Sequence, residues 1–216
     1  MQPFAHAFIT AGYRVQEYYL KNEVKRQIFN ISAPVDCSFF DPALIKKTHS
    51  ENVSRIITVA NINPIKGLEQ FLEIAAKLNH KVFKPLEFRI IGPVFDSQIL
   101  YFKKLKELTK KLKLNNLVFV GGIEDVREEL ANADIFVCTS VSEASPTSVW
   151  EAMALGKPIV STSVGEVDFI IKNGVSGLVC ENHDTLELSE KIKYLLSHDK
   201  IKEKIGKSAR KRAIEV

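Results

Sequence analysis

Two carboxylates flank an apolar segment whose first residues favour a helix start, and this spacing suits the binding of a phosphate and of ligand hydroxyls. Glu143 and Glu151 have seven residues between them in SEASPTSVWEAMALGKPIVST. Ser145 is a favoured N-cap residue and Pro146 suits the first helical position, so the sequence predicts a helix that begins there. The first amides of a helix lack intrahelical partners and bind anions well. We expect these amides to belong to Thr147, Ser148 and Val149.

Glu151 falls among the apolar residues of this predicted helix, beside Trp150 and Ala152. A carboxylate buried in such a turn is costly unless it is hydrogen-bonded. Ligand hydroxyls would satisfy it, and so would a Lys or Arg from elsewhere in the chain. For Glu143, the alternative to a ligand contact is an ordinary exposed loop acid.

Length, composition and charge set broad limits on function. The chain has 216 residues, 45% of them hydrophobic, which is enough for one large domain or for one domain plus part of another. A net charge of +4 and a pI near 8.8 favour anionic ligands or an acidic membrane surface, and do not indicate nucleic acid. No apolar run approaches the roughly 20 residues of a membrane span, and no signal-peptide pattern is present. A cytoplasmic location is the default expectation.

Cysteines and histidines give no sign of a metal site. The three cysteines, Cys37, Cys138 and Cys180, are far apart and show no Cys-x-x-Cys spacing, so we expect buried thiols. The five histidines are scattered, with no helical i, i+4 pair. We therefore expect no protein-held metal and no cofactor.

From Arg55 onward, short β-branched apolar runs alternate with helix-length segments. Six runs are typical of strands: RIITVANI, LEFRIIGPV, LVFVGGI, DIFVCTS, PIVSTSVG and SGLVC. The alternation predicts an α/β protein with a Rossmann-like, doubly wound parallel sheet. Ligands of such sheets bind outside the carboxyl ends of the strands, and the motifs above fall there.

The residues before Arg55 do not follow this rhythm. FITAGYRVQEYYLKNEV predicts a short strand followed by a helix, and APVDCSFFDPA at 33–43 has the composition of an ordered linker. We interpret 1–42 as the remnant of another domain with its linker, and 43–216 as the sheet domain. The basic segment IKEKIGKSARKR is interpreted as a surface helix, although it could instead contact anionic lipid; as a helix it would have a short apolar stripe of Ile201, Ile205 and Ala209.

These motifs resemble the large family-four, or group 1, retaining glycosyltransferases, whose two Rossmann-like domains form the GT-B fold. Glu143 and Glu151 are similar to the family's E-x7-E signature, and GKPIVSTSVGEVDFIIKNGVSGLVCENHD looks like the segment that follows it. Lys66-Gly67 and PVDCSFFDP are similar to its diphosphate-binding lysine and its interdomain segment. The resemblance implies one half of a GT-B fold, the C-terminal nucleotide-sugar-binding domain. It also implies that only the tail of the N-terminal domain is present and that the family's final helix is cut off.

The resemblance implies a role for each site residue. Lys66 and Glu143 are the expected catalytic residues: Lys66 would stabilise charge on the departing phosphate, and Glu143 would face the transferred sugar. Glu151 would accept hydrogen bonds from the ribose 2′- and 3′-hydroxyls, and the backbone near Ile123 would contact the nucleobase. The other expected donor-binding residues are Asn61, Pro146, Thr147, Ser148 and Val149.

Two positions depart from the family pattern. Asn61 stands where the family often has an arginine, and it lacks the charge and the bidentate geometry of that side chain. Glu166 stands where a second glycine typically follows Gly165. Simpler interpretations also remain: Lys66 could be a surface lysine beside a helix start, and the glycines before Ile123 could form an ordinary turn.

The resemblance implies retaining transfer of a glycosyl group from a nucleotide diphosphate sugar to a glycan or lipid-linked acceptor. The acceptor would be held by the N-terminal domain, and it could bring the protein to the inner face of a membrane. Retention needs no covalent enzyme nucleophile, since the acceptor can attack on the face from which the diphosphate leaves. The fragment alone is expected to be inactive. A non-catalytic nucleotide-binding module or scaffold is the alternative; a GT-B-type epimerase would need acid/base groups that this segment lacks.

Overall fold

The computed structural model describes residues 6–32, 35–50, 52–79, 84–180 and 184–215. Within these ranges the strands are β1 (Ala7–Thr10), β2 (Gln27–Asn30), β3 (Ser54–Val59), β4 (Leu86–Ile91), β5 (Leu117–Gly121), β6 (Ile135–Cys138), β7 (Ile159–Thr162) and β8 (Leu178–Cys180). The helices are α1 (Tyr13–Lys21), α2 (Leu68–Leu78), α3 (Ile99–Lys111), α4 (Arg127–Ala131), α5 (Thr147–Ala154), α6 (Val167–Ile170), α7 (Thr185–Ser197) and α8 (Asp199–Glu215).

Of the described strands, six form a parallel sheet in the order β5-β4-β3-β6-β7-β8. This arrangement confirms the predicted α/β, Rossmann-like fold. The chain winds outward in both directions from β3 and β6, so the strand order reverses between them, where ligands of such sheets bind. A separate parallel pair, β1 and β2, precedes this sheet. The sequence predicted β1 and α1 but not β2, because the four residues QIFN carry little pattern.

Helices cover both faces of the sheet, because parallel strands are apolar on both sides. On one face, Phe71 of α2, Phe88 of β4 and Ile192 of α7 belong to one buried cluster. On the other face, Phe136 of β6 and Trp150 of α5 belong to a second buried cluster. The two layers fix the loops at the carboxyl edge of the sheet between packed helices.

The basic C-terminal helix turns its apolar stripe inward. Ile205 and Ala209 of α8 are buried, and α8 packs against α5 and α7. Gly206 permits this close packing, since a Cβ there would lie 2.3 Å from the carbonyl oxygen of Gly156. The stripe therefore packs on the protein, and contact of the basic segment with anionic lipid stays a prediction. None of the described helices is long and apolar enough to cross a membrane.

The segment before β3 is tied to the sheet domain by Arg210 of α8. Its guanidinium donates to the carbonyl oxygens of Cys37 and Phe40 at 3.0 and 2.8 Å, and also to that of Ala154. These bonds hold the linker-like segment against the end of α5. Residues 33 and 34 of the predicted linker lie outside the described residues, and the domain boundary near residue 42 stays a prediction.

Candidate functional site

Two loops at the carboxyl ends of the central strands are joined by hydrogen bonds. Lys66 lies in the loop after β3, and Glu143 lies in the loop between β6 and α5. The Val141 amide donates to the Ile65 carbonyl at 2.8 Å, and the Thr139 hydroxyl donates to the Lys66 carbonyl at 3.1 Å. The two loops therefore approach each other closely, although they are far apart in sequence.

Gly67 makes this approach sterically possible. Its φ of +59° lies in the left-handed region, and a Cβ there would come 2.1 Å from the carbonyl oxygen of Thr139. A side chain at this position would force the loops apart. The Lys66-Gly67 pair thus combines a charged side chain with the residue type that lets its loop meet the Glu143 loop.

Lys66 and Glu143 form an ion pair across the two loops. The Lys66 Nζ lies 2.6 Å from Glu143 Oε1, and the Ser140 hydroxyl donates to the same oxygen at 2.8 Å. The two side chains are only 23% and 14% exposed. The two predicted catalytic residues are therefore in direct contact and partly shielded from water.

A cavity of about 550 Å³ opens beside this pair, at the carboxyl ends of β3 and β4. Eight of the nine predicted donor-binding residues line it: Asn61, Lys66, Ile123, Glu143, Pro146, Thr147, Ser148 and Glu151. The ninth, Val149, has its side chain buried in the core. Folding therefore brings these residues from three separate sequence segments, 61–66, 123 and 143–151, to one cavity.

Helix α5 begins one residue later than the sequence predicted. Pro146 is its N-cap residue and no side chain caps the helix. The Ser145 hydroxyl, which was expected to cap it, instead contacts the Glu166 carboxylate and the Trp150 indole N–H. The N-cap prediction was wrong because a buried acid competes for the same hydroxyl.

The amides at the start of α5 are only partly available. The Val149 amide donates to the Pro146 carbonyl at 3.0 Å, so the expectation that it lacks an intrahelical partner is wrong. The amides of Thr147 and Ser148 make no hydrogen bond to any described residue, and both residues line the cavity. This geometry offers two amides to an anion.

Glu151 lies on the cavity wall as a partly buried carboxylate. Loss of hydration on burial raises its pKa above the ordinary value, and no charged or hydrogen-bonding partner contributes to the shift. Within the described part of the chain, no residue forms an ion pair or hydrogen bond with this carboxylate. The alternative in which a Lys or Arg satisfies it therefore fails for the described residues.

The end of the cavity near Ile123 has an aromatic wall that sequence reasoning missed. Phe39 and Phe40 line it, and the Arg127 guanidinium lies 3.6 Å from the centre of the Phe39 ring. Arg127 also pairs with Asp125 at 2.6 Å, which fixes its orientation. The available signal was the Phe-Phe pair in 33–43, a segment that we interpreted only as a linker.

Acidic groups outnumber basic ones on the described cavity wall. Lys66 is its basic residue, whereas Glu124, Asp125, Glu143 and Glu151 all contribute carboxylates. The Arg127 and Lys66 pairs offset two of these acids. Among the described residues, no group of three His, Cys, Asp or Glu side chains could hold a metal ion.

The doubly wound parallel sheet, with Glu143 and Glu151 at its switch point, identifies the chain as a Rossmann-like α/β protein. Sequence comparison gives its family. The model of the family described as glycosyl transferases group 1 matches residues 41–212. The chain belongs to this family, and the resemblance seen in its motifs is confirmed.

Curated relatives are longer than this chain. The N-acetyl-alpha-D-glucosaminyl L-malate synthase of Bacillus anthracis is 28% identical over 178 residues, which cover 81% of this chain and 45% of that protein. The N,N'-diacetylbacillosaminyl-diphospho-undecaprenol alpha-1,3-N-acetylgalactosaminyltransferase of Campylobacter jejuni is 26% identical over 223 residues, which cover 98% of this chain and 57% of that protein. The chain thus spans about half the length of these relatives.

Solved structures share the fold. HepE of Anabaena, solved in complex with UDP and glucose, matches with a TM-score of 0.88 at 19% identity, covering 98% of this chain and 59% of that one. The C-terminal domain of the group 1 glycosyl transferase LpcC from Francisella tularensis matches with a TM-score of 0.67 at 22% identity, covering 84% of this chain and 93% of that one. The chain has the fold of the C-terminal half of a GT-B glycosyltransferase.

Proposed function

We propose that this chain is the donor-binding half of a retaining glycosyltransferase that uses a nucleotide diphosphate sugar. The observation that carries this proposal is the Glu151 carboxylate, which is partly buried on the cavity wall and has no partner among the described residues. A ribose supplies two adjacent hydroxyl donors, which match the acceptor capacity of one carboxylate. No cation is needed for such a contact.

The diphosphate would bind between Lys66 and the start of α5. Lys66 supplies positive charge, and the amides of Thr147 and Ser148 supply hydrogen-bond donors on the same cavity wall. Fixed donors of this kind stabilise a leaving diphosphate as its charge grows. A phosphate beside Lys66 would compete with Glu143 for the ammonium group, which is 2.6 Å from that carboxylate in the free protein. Glu143 would then be free to accept hydrogen bonds from the sugar.

The reaction breaks the bond between the sugar anomeric carbon and a β-phosphate oxygen, and forms a bond from that carbon to an acceptor hydroxyl oxygen. If the acceptor attacks on the face from which the phosphate departs, configuration is retained and the departing phosphate takes the acceptor proton. Lys66 and the α5 amides then stabilise the leaving group, and no protein nucleophile is required.

The acceptor would be held by an N-terminal domain, as the family resemblance implies. The Campylobacter jejuni relative is named for transfer to a diphospho-undecaprenol-linked sugar. By analogy, a glycan or lipid-linked acceptor fits this chain, and a lipid-linked one would bring the protein to a membrane surface. Residues 1–216 by themselves would bind the donor without turnover.

A non-catalytic nucleotide-binding module is the second candidate, favoured by one observation. Asn61 lines the cavity where the family often has an arginine, so the diphosphate subsite has less positive charge than the resemblance implies. Such a module would bind nucleotide without supporting transfer when joined to an acceptor-binding domain.

A thermal-shift panel with UDP, GDP, ADP and their common sugar conjugates tests the proposal. We expect stabilisation by one base, since a ligand at a hundredfold excess over its Kd adds about 2.7 kcal/mol to stability. Lys66→Ala should raise the Kd for that ligand by roughly tenfold or more, equivalent to a loss of about 1.4 kcal/mol in binding free energy. The control Lys103→Ala, on the exposed face of α3, should leave binding unchanged. No stabilisation by any nucleotide, or equal binding in both variants, would contradict the proposal.

A further inference from the structure

Glu166 is a fully buried carboxylate whose described partners are all neutral donors. It is 0% exposed. The Ser32 hydroxyl donates to its Oε2 at 2.8 Å, the Trp150 indole N–H donates to its Oε1 at 3.1 Å, and the Ser145 hydroxyl also contacts Oε1. A carboxylate withdrawn from water is stable only when its oxygens are hydrogen-bonded, so these three donors hold the group in place.

The partners of Glu166 belong to three segments that meet at the site. Ser145 lies in the loop that carries Glu143, and Trp150 immediately precedes Glu151 in α5. Ser32 follows β2, in the segment before the sheet domain. The carboxylate therefore connects residues 6–32, called here the N-terminal segment, with the loop that carries Glu143 and the helix that carries Glu151.

The backbone of Glu166 is hydrogen-bonded to the loop that carries Glu143. Its amide donates to the Ala144 carbonyl at 3.1 Å. The preceding Gly165 has a φ of +55°, and a Cβ there would lie 2.4 Å from that carbonyl oxygen. The turn at Gly165 thus presses against the residue next to Glu143, and the Glu166 side chain adds a second attachment at Ser145.

The N-terminal segment reaches this turn through independent contacts. A Cβ on Gly12 would lie 2.5 Å from the Ala144 carbonyl oxygen. The Arg14 guanidinium donates to the Ser163 hydroxyl at 2.8 Å and pairs with Asp168. These contacts place Gly12 against the Glu143 loop, and Arg14 against two residues that flank Glu166 in the sequence.

We propose that Glu166 is a positioning residue: through it, the way the N-terminal segment packs on the sheet domain determines the position of the Glu143 loop. Its functional consequence rests on the donor-binding function proposed above. Because Glu143 is expected to face the sugar and Glu151 the ribose, displacement of the loop should affect the sugar portion of a donor more than the nucleotide portion. The N-terminal segment thereby influences recognition of the donor sugar.

The chain contains one tryptophan, Trp150, which is 3% exposed and reports directly on Glu166. Ser32→Ala removes a partner of the opposite carboxylate oxygen without touching the indole. If Glu166 couples the N-terminal segment to the Glu143 loop, this variant should change the emission maximum or the acrylamide quenching of Trp150 in the ligand-free chain. Glu166→Gln should remain near wild type, because its amide keeps one acceptor and can donate to the Ser32 oxygen.

Glu166→Ala should change the Trp150 signal most, and Glu73→Ala on the exposed face of α2 serves as the control. Ser32→Ala is the milder variant and keeps the test decisive if Glu166→Ala fails to fold. A Trp150 signal in Ser32→Ala that matches the control would overturn the coupling, whether or not any nucleotide binds.

Titration with UDP and UDP-glucose gives the second readout. In Ser32→Ala, the Kd for UDP-glucose should rise about tenfold, while the Kd for UDP changes little. Equal losses for both ligands, or no loss for either, would overturn the positioning role. If wild type binds neither these ligands nor any other nucleotide, the proposed function fails, and the fluorescence result alone decides the coupling.

Discussion

At the scale of single residues, the ionised Glu151 carboxylate should lower the stability of the free chain and strengthen the binding of a nucleotide. Burial raises its pKa, so the folded chain binds a proton at Glu151 more readily than the unfolded chain does. Ionisation at neutral pH therefore costs folding free energy, and stability is lost as pH rises from the unfolded pKa through the raised folded value. The same ionised group is the one that ribose hydroxyls would need.

Glu151→Gln should stabilise the free chain and weaken nucleotide binding. We expect a gain of about 1 kcal/mol or less, equivalent to roughly 2–4 °C at most for a domain of this size. The Kd for the nucleotide should rise roughly ten- to a hundredfold, because hydrogen bonds to charged groups contribute about 1.5–3 kcal/mol. Thermal unfolding and calorimetric titration measure the two effects, with Glu73→Gln on α2 as the control.

The pH dependence of nucleotide binding supplies a check on this assignment. Wild-type affinity should fall as pH decreases toward the raised pKa of Glu151, and Glu151→Gln should lose that decline. A variant that binds as tightly as wild type, with the same pH profile, would remove Glu151 from the ribose contact.

Asn61→Arg should strengthen binding of a nucleoside diphosphate. Asn61 lines the cavity, whose described wall has one basic residue, so an arginine there adds charge and a bidentate donor. We expect the Kd for UDP to fall about tenfold at low salt, while the Kd for uridine stays unchanged. Equal gains for both ligands would show that the new side chain does not act on the phosphates.

At the scale of elements, hydrogen bonds of Lys157 end helix α5 and attach it to a neighbouring loop. The Gly156 amide donates to the Met153 carbonyl and the Lys157 amide to that of Ala152, both at 2.9 Å, which is the Schellman pattern of helix termination. The Lys157 Nζ then donates to the carbonyl oxygens of Ala131 and Ala133. A buried lysine thus joins the end of α5 to the loop between α4 and β6.

Lys157→Met should alter the pH dependence of stability. Burial, reinforced by Lys47 and opposed by Asp134, lowers the pKa of Lys157 from 10.5 to about 7. Between these values the unfolded chain binds more protons, so wild-type stability should rise with pH and become independent of this group below pH 7. The slope from one group is at most about 1.4 kcal/mol per pH unit.

Urea unfolding at pH 7, 8 and 9 measures this effect as the difference between wild type and Lys157→Met. The difference should shift in favour of wild type as pH rises, whereas Lys103→Met should show no such trend. Parallel curves for wild type and Lys157→Met would contradict the lowered pKa.

The sequence predicted elements better than the contacts between them. Six strands followed from β-branched runs such as RIITV, because burial on both faces leaves a continuous apolar signal. The start of α5 was misplaced because the competitor for the Ser145 hydroxyl, Glu166, lies beyond the next strand. The role of Phe39 was missed for the same reason, since its partner Arg127 is remote in sequence.

At the scale of the whole molecule, the described residues enclose cavities at both edges of the sheet. The candidate donor cavity lies at the carboxyl edge. Another, of about 560 Å³, lies near the amino ends of β6 and β7 and is lined by Lys157 and Pro158 among others. Volume does not distinguish the two cavities. The choice rests on Lys66, the α5 amides and Glu151, whose carboxylate has no partner among the described residues, at the carboxyl edge.

The measurement that tests this account most directly is a crystal structure of the chain grown with UDP. The account predicts that UDP occupies the cavity at the carboxyl edge, with its ribose hydroxyls on the Glu151 carboxylate. It also predicts that the diphosphate contacts the Lys66 ammonium and the amides of Thr147 and Ser148, and that the Lys66–Glu143 pair is broken. UDP bound in the cavity beside Lys157, or a ribose turned away from Glu151, would contradict it.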